Sequence, residues 1–232
     1  LFSGDGINMD KAKAAQYYKK GSDLGDINCT FMYGCMLLDG DGIPCDEKEA
    51  SKYLHIAANK ENVDSMLKYG FMLYQGIGVE KDMKKGINYI KMSANKGYTK
   101  AISFYNLLLY LGIENQTNEN ESAKYYQKAI SQDDEFSMIL YGLWLLKSKN
   151  IADEKLRLAA SYFKKSSDKG NDLAMFLYGM MLYKYDIFKN KEEASFYFRK
   201  SAIKLNYFSM YLYGKLLLEG DLIKSNKTEA AK

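Results

Sequence analysis

One histidine, one proline and one tryptophan in 232 residues narrow the field before any motif is considered. A Ser/His/Asp or Cys/His constellation has only His55 to draw on. That residue shares its place in a recurring pattern with Lys19, Lys91, Gln127, Lys164 and Arg199, so it reads as an exposed polar position and not as a catalyst. Cysteine is scarce too, at 29, 35 and 45. Cys29 and Cys35 are six apart, which turns them about 120° away from each other on a helix, so no disulfide framework is expected. Reduced thiols suit an intracellular, cytoplasmic protein. Neither sign of charge dominates: 33 basic against 29 acidic residues leave a net +4, which lacks the concentrated positive field that nucleic acid selects. No apolar run approaches the roughly 18 residues that span a bilayer, so direct membrane insertion is not expected. With 47% hydrophobic residues and so little proline, the chain reads as ordered nearly throughout.

What is abundant is tyrosine, and it is spaced. Tyr33, Tyr69, Tyr105, Tyr141, Tyr178 and Tyr213 follow one another at 36, 36, 36, 37 and 35 residues. Around them the chain repeats itself, as Ser65-Met66-Leu67-Lys68-Tyr69-Gly70, Ser137-Met138-Ile139-Leu140-Tyr141-Gly142, Ala174-Met175-Phe176-Leu177-Tyr178-Gly179 and Ser209-Met210-Tyr211-Leu212-Tyr213-Gly214. Self-similarity at this period marks stacked supersecondary units, each packing on its neighbours. A second ruler runs through Tyr17, Tyr53, Tyr89, Tyr125, Tyr162 and Tyr197, with a small residue three before each, from Ala14 to Ala194. Small and aromatic columns at helical spacing describe one helix pressed closely on another.

Helix boundaries follow from the caps. Asp10, Asp46, Asp82, Asn118, Asn190 and Asn226 occupy one column as N-caps, and Glu49, Glu121, Glu193 and Glu229 three residues on complete capping boxes. Glycines at 25, 97 and 170 close these helices, and the pairs Gly40/Gly42 and Gly76/Gly78 form tight turns after the Tyr-Gly helices. The pattern predicts helices near 11–24, 27–39, 46–60, 63–75, 82–96, 99–111, 118–132, 135–147, 154–168, 172–184, 190–204 and 207–219, with another beginning after Asn226. Strands have no place in it. Around Ser148–Asp153 both loop glycines are missing and the period slips to 37, so a turn of different shape is expected there. Asp39-Gly40-Asp41-Gly42 lacks the third acid of a calcium loop, and the Gly-x-Gly pairs lack the Gly-Lys-Ser/Thr of a phosphate loop. No catalytic residue, cofactor site or metal site is expected.

The unit that runs from Cys29 through Gly34, Leu37, Gly40, Gly42, Ile43, Asp46, Ala50 and Tyr53 to Ala57-Ala58 resembles the Sel-one-like repeat, a relative of the tetratricopeptide repeat. Asn106, in place of the helix glycine, and the missing loop glycines near Ser148 and Lys184 depart from it. The resemblance covers residues 1–232 as a single array of about five full repeats with partial ones at both ends. It implies an all-α, right-handed solenoid of stacked antiparallel helix pairs that works as a non-catalytic scaffold or adaptor for a protein or peptide. The alternative is a structural spacer or regulatory arm of a larger polypeptide, for instance one linked to a kinase. Because Leu1 falls in mid-pattern, the chain reads as a fragment whose uncovered ends would meet more sequence or a second copy.

By the tetratricopeptide analogy, the positions two before, two after and five after the Tyr-Gly tyrosine line the inner face. They are strongly apolar here, and the expected partner-binding residues are Phe31, Leu67, Phe71, Tyr74, Leu107, Tyr110, Leu143, Phe176, Met180 and Tyr183. Such a band is either an apolar groove or a surface buried by tight winding of the superhelix.

Overall fold

The tyrosine ruler and the caps between them place every helix. The computed structural model describes residues 9–113, 119–147, 151–188 and 190–219, and among these it is helical throughout, with no strand. The chain divides into two compact units, residues 1–118 and 119–232. The first holds α1 (Lys11–Asp23), α2 (Ile27–Asp39), α3 (Glu47–Asn59), α4 (Val63–Gln75), α5 (Met83–Asn95) and α6 (Thr99–Leu111). The second holds α7 (Glu119–Ser131), α8 (Glu135–Leu145), α9 (Asp153–Asp168), α10 (Asp172–Lys184), α11 (Lys191–Ile203) and α12 (Tyr207–Glu219). Within each unit, helices consecutive in the chain pack on one another, so both are stacks of helix pairs.

Local chemistry starts most of the described helices, with α6 and α9 beginning without a side-chain cap. Asp10, Asp46, Asp82 and Asn190 accept from the amides of Lys13, Glu49, Lys85 and Glu193, as expected of N-caps. Asn118 and Asn226 lie outside the described residues. The reciprocal half of the capping box is not what forms at Glu49 and Glu193. The cap N–H of Asp46 donates to the Leu37 carbonyl at 2.9 Å and that of Asn190 to the Leu182 carbonyl at 3.3 Å, so the preceding Tyr-Gly helix supplies the acceptor. Released from that duty, Glu49 pairs with Lys52, and Glu193 accepts from the Asn190 side-chain amide. For Glu121 and Glu229 the side chains lie outside the described residues. A second cap column starts the Tyr-Gly helices: Asp26, Asn62, Asp134, Asn171 and Asn206 accept from the third amide along.

The core forms where small residues let helices meet. In residues 1–118 it is built from Leu37, Ala50, Leu54, Ala58, Met66, Tyr69, Met72, Leu73 and Tyr89. Gly70 and Gly86 face each other across α4 and α5, and a Cβ added to Gly70 would stand 2.8 Å from the Gly86 carbonyl oxygen. In residues 119–232 the same glycine notch is filled by a ring, Phe163 against Gly142 and Phe198 against Gly179. Hydroxyls pin the pairs further, with Ser93 donating to the Val63 carbonyl and Ser201 to that of Asp172. Asn106, in the glycine column, is fully buried.

Loop glycines tie one repeat to the next. Gly78 has φ +63, and a Cβ there would overlap the Glu47 carbonyl at the start of α3. Gly42, at φ +78, stands in the same relation to Lys11 and Ala12 of α1. Asp41 in the first of these loops pairs with Lys11 at 2.6 Å. Where the loop glycines are missing the helix ends change, as expected for the Ser148 region. There α8 stops at Leu145 with Leu146 in the αR conformation, and α9 starts after Ala152 without a side-chain cap. Residues 148–150 lie outside the described residues.

Candidate functional site

On a Tyr-Gly helix, positions two before, two after and five after the tyrosine fall within about 60° of one another at 100° per residue, so they share a face. The structure gives that face an intermediate character. Leu67 is buried, while Phe31, Phe71, Tyr74, Leu107, Tyr110, Leu143, Phe176, Met180 and Tyr183 are all half-buried. The neighbouring positions toward the core are closed: Met36, Leu37, Met72, Leu73, Met181 and Leu182 are all buried. Ring contacts brace the band from the sides. Phe71 lies against Phe104 at 4.3 Å between centroids, and Phe176 stands near Phe198 at 6.2 Å and Phe208 at 6.0 Å. Side chains held in place while still presenting part of their surface lose little rotamer freedom when a ligand arrives. Within residues 1–118 the face is built by α2, α4 and α6, and within 119–232 by α8, α10 and α12.

The opposite ruler forms a second motif that the sequence pattern did not disclose. Tyr33 and Tyr53 meet edge to face at 4.8 Å, Tyr69 and Tyr89 at 5.1 Å, and Tyr178 and Tyr197 at 4.8 Å. Two of these pairs carry a group from the column of His55, which itself lies on Tyr69 and Tyr89 while Lys164 lies over both Tyr178 and Tyr197; Lys91 lies over Tyr105 in the same way. His55 itself is half-buried and not the exposed residue expected. Its ring stacks on Tyr69 at 4.6 Å, stands edge-on to Tyr89, and shares a hydrogen bond with Asn59. Burial, helped by the charge of Lys85, holds its pKa below the usual imidazole value. The signal was a constant step of 14 from this column to one tyrosine and of 33 to 35 to the other. These groups brace the stack.

Desolvation also pushes the Cys35 thiol to about 11, which keeps it protonated and unreactive among the apolar side chains of the inner face. Trp144 departs from its column: Met36, Met72, Leu108 and Met181 are buried at the equivalent place, whereas Trp144 is half-buried and lines a cleft of about 480 Å³ with Tyr141, Leu145 and Leu158. Among the described residues no His, Cys, Asp and Glu cluster is placed to hold a metal ion, and no helix is long and apolar enough to cross a membrane.

A recurring helix pair with capped ends, a glycine notch and a half-open apolar face defines a helical repeat protein of the solenoid class. The Sel1 repeat family model matches residues 1–26, 27–62, 63–98, 101–134, 136–171, 172–204 and 208–232, and the chain belongs to that family. Proteins of this family are in general interaction scaffolds and not enzymes. Among solved structures, the chain is similar to a protective antigen of uropathogenic Escherichia coli strains with an SLR fold. The TM-score is 0.84 at 24% identity, covering 99% of this chain and 49% of that one. It is also similar to a Sel1 repeat protein from Oxalobacter formigenes, with a TM-score of 0.73 at 22% identity, covering 93% and 88%. At these identities the likeness shows the fold, and the chain spans about half the length of the E. coli protein. No curated protein matches it.

Proposed function

We propose that this chain is a scaffold that docks a partner helix or peptide on the apolar face of its Tyr-Gly helices, through Phe31, Leu67, Phe71, Tyr74, Leu107, Tyr110, Leu143, Phe176, Met180 and Tyr183. The observation that carries this reading is the half-buried state of that band: nine of the ten side chains stay partly open while the adjoining core positions are sealed. Affinity in such a face concentrates in a few aromatic anchors, and truncating one costs about 2 kcal/mol or more of binding. The seven repeat matches run through both units, which supports reading residues 1–232 as one array.

Peptides selected from a random display library on the wild-type chain provide the test. Phe71→Ala and Phe176→Ala are expected to weaken the selected peptides at least tenfold with the helical signal and melting midpoint little changed, while Arg157→Ala on an exposed surface of α9 leaves binding intact. His55 and Lys91 are poor controls because both contact tyrosines. If the alanines unfold the chain while its folded fraction binds normally, the band is core and the docking surface lies elsewhere.

A further inference from the structure

The residue five before each Tyr-Gly tyrosine falls on the same face as the three inner columns, within about 80° of all of them. In residues 1–118 this position holds Asn28, Asp64 and Lys100; in 119–232 it holds Phe136, Leu173 and Phe208. The three apolar side chains are 45%, 42% and 73% exposed, and the Phe208 ring lies 6.0 Å from Phe176, so the added column is continuous with the band. Four apolar columns from five before to five after span ten residues, or about 15 Å of helix axis. That is wide enough to seat a helix of about 10–12 Å diameter, whereas the three columns of the first unit span only about 10 Å. Charge separates the two faces as well. Lys147 and Lys184 stand one turn beyond Leu143 and Met180, and Lys215 occupies the second column itself; all three are exposed. The matching positions in residues 1–118 are Asp39, Gln75 and Leu111 and, in the second column, Cys35, Phe71 and Leu107, while on α12 the sequence puts Glu219 in the column of Lys147 and Lys184 and leaves Lys215 as that helix's cation on this face.

We propose that the face of α8, α10 and α12 takes an amphipathic helix whose apolar stripe meets Phe136, Leu173, Phe176 and Phe208, and whose flank on the lysine side is acidic. This names the partner class for one part of the docking face and rests on the inner-face reading. The apolar columns supply burial, and the lysine edge sets orientation and rejects basic partners, since like charges brought together at an interface repel.

Two synthetic 18-residue helical peptides that share a leucine and phenylalanine stripe, one flanked by glutamates and one by lysines, test this by fluorescence anisotropy against the wild-type chain. The glutamate peptide is expected to bind at least tenfold more tightly at low salt, with the difference collapsing at high salt. Lys147→Glu combined with Lys184→Glu should reverse the preference. Leu173→Ser with Phe208→Ser should weaken the glutamate peptide at least tenfold at an unchanged melting midpoint, because both side chains are exposed. Equal binding of the two peptides, tighter binding of the lysine peptide, or indifference to the Leu173 and Phe208 changes overturns the proposal. Should neither peptide bind while display-selected peptides still depend on Phe71 and Phe176, the acidic-helix partner fails and the scaffold reading stands; should the display peptides also ignore Phe71 and Phe176, both fail.

Discussion

In residues 1–118 the Tyr-Gly helices α2, α4 and α6 each end on a glycine in the left-handed region, at Gly40, Gly76 and Gly112, whereas α8 and α10 in residues 119–232 end on Leu146 in αR and on Tyr185 in an extended conformation. The helix contacts differ as well. The first unit sets main chain against main chain at Gly70 and Gly86 and fills its Gly34 notch with Leu54, while the second fills its notches with the rings of Phe163 and Phe198. One repeat pattern therefore admits two solutions: backbone approach allowed by paired small residues, or a notch occupied by a side chain of the next helix. The first fixes helix separation through groups that cannot move aside. The second leaves it to side chains that can.

The sharpest way to break this contrast is to load the two notches. Gly70→Leu is expected to cost about 3 kcal/mol or more, because the new side chain meets the Gly86 carbonyl and the Ile90 backbone amide as well as its side chain, and overpacking against main chain can be relieved only by parting the helices. Chemical denaturation followed by circular dichroism reads this directly. Gly142→Ala should cost about 2 kcal/mol, since its Cβ would stand 2.5 Å from the Phe163 ring, and here the obstacle is a side chain. Shortening it with Phe163→Leu in the same chain should return about 1 kcal/mol relative to the sum of the single changes. If the double variant is simply additive, the ring is not what fills the notch.

A smaller effect separates the helix ends. Gly76→Ala forces an L-residue to φ +84 and should cost about 1–2 kcal/mol, whereas Leu146→Gly gains no conformational relief at φ −84 and should be neutral or mildly destabilising. Equal and opposite shifts in melting temperature would mean that the two ends share one geometry.

The smallest effect is titration of the single histidine in the first unit. The folded state favours neutral His55, so its pKa lies below the unfolded value of about 6.5, and the unfolded chain binds the proton more readily in that window. Its contribution to stability is therefore full above the unfolded value and is lost as pH falls through the folded one. Because no other histidine is present, one proton NMR titration should show a midpoint below 6.5, and His55→Gln should flatten the matching part of the stability profile. A midpoint above 6.5 would show that the tyrosines stabilise the cation instead.

Sequence alone determined the parts of this protein that depend on a few residues at a time. An Asp or Asn cap acts on an amide three residues away, and a left-handed glycine acts on the turn that holds it, so helix limits such as 27–39, 63–75, 99–111, 172–184 and 207–219 were readable from spacing. The second cap column, Asp26, Asn62, Asp134, Asn171 and Asn206, is just as local, with Tyr98 before α6 the one position in it that supplies no side-chain cap. Tertiary structure decided what depends on a neighbour on another helix, 9 to 21 residues away in the clearest cases. Only packing shows that the Asp46 N–H turns to Leu37 and leaves Glu49 free for Lys52, that His55 lies on Tyr69, and that Phe163 and not backbone closes the Gly142 notch. The inner face belongs to this second class: periodicity places Phe71 and Phe176 on one side of their helices, but how much of each ring remains open is set by the helices packed beside it, because burial is a property of surfaces that meet and not of the residue that supplies one of them.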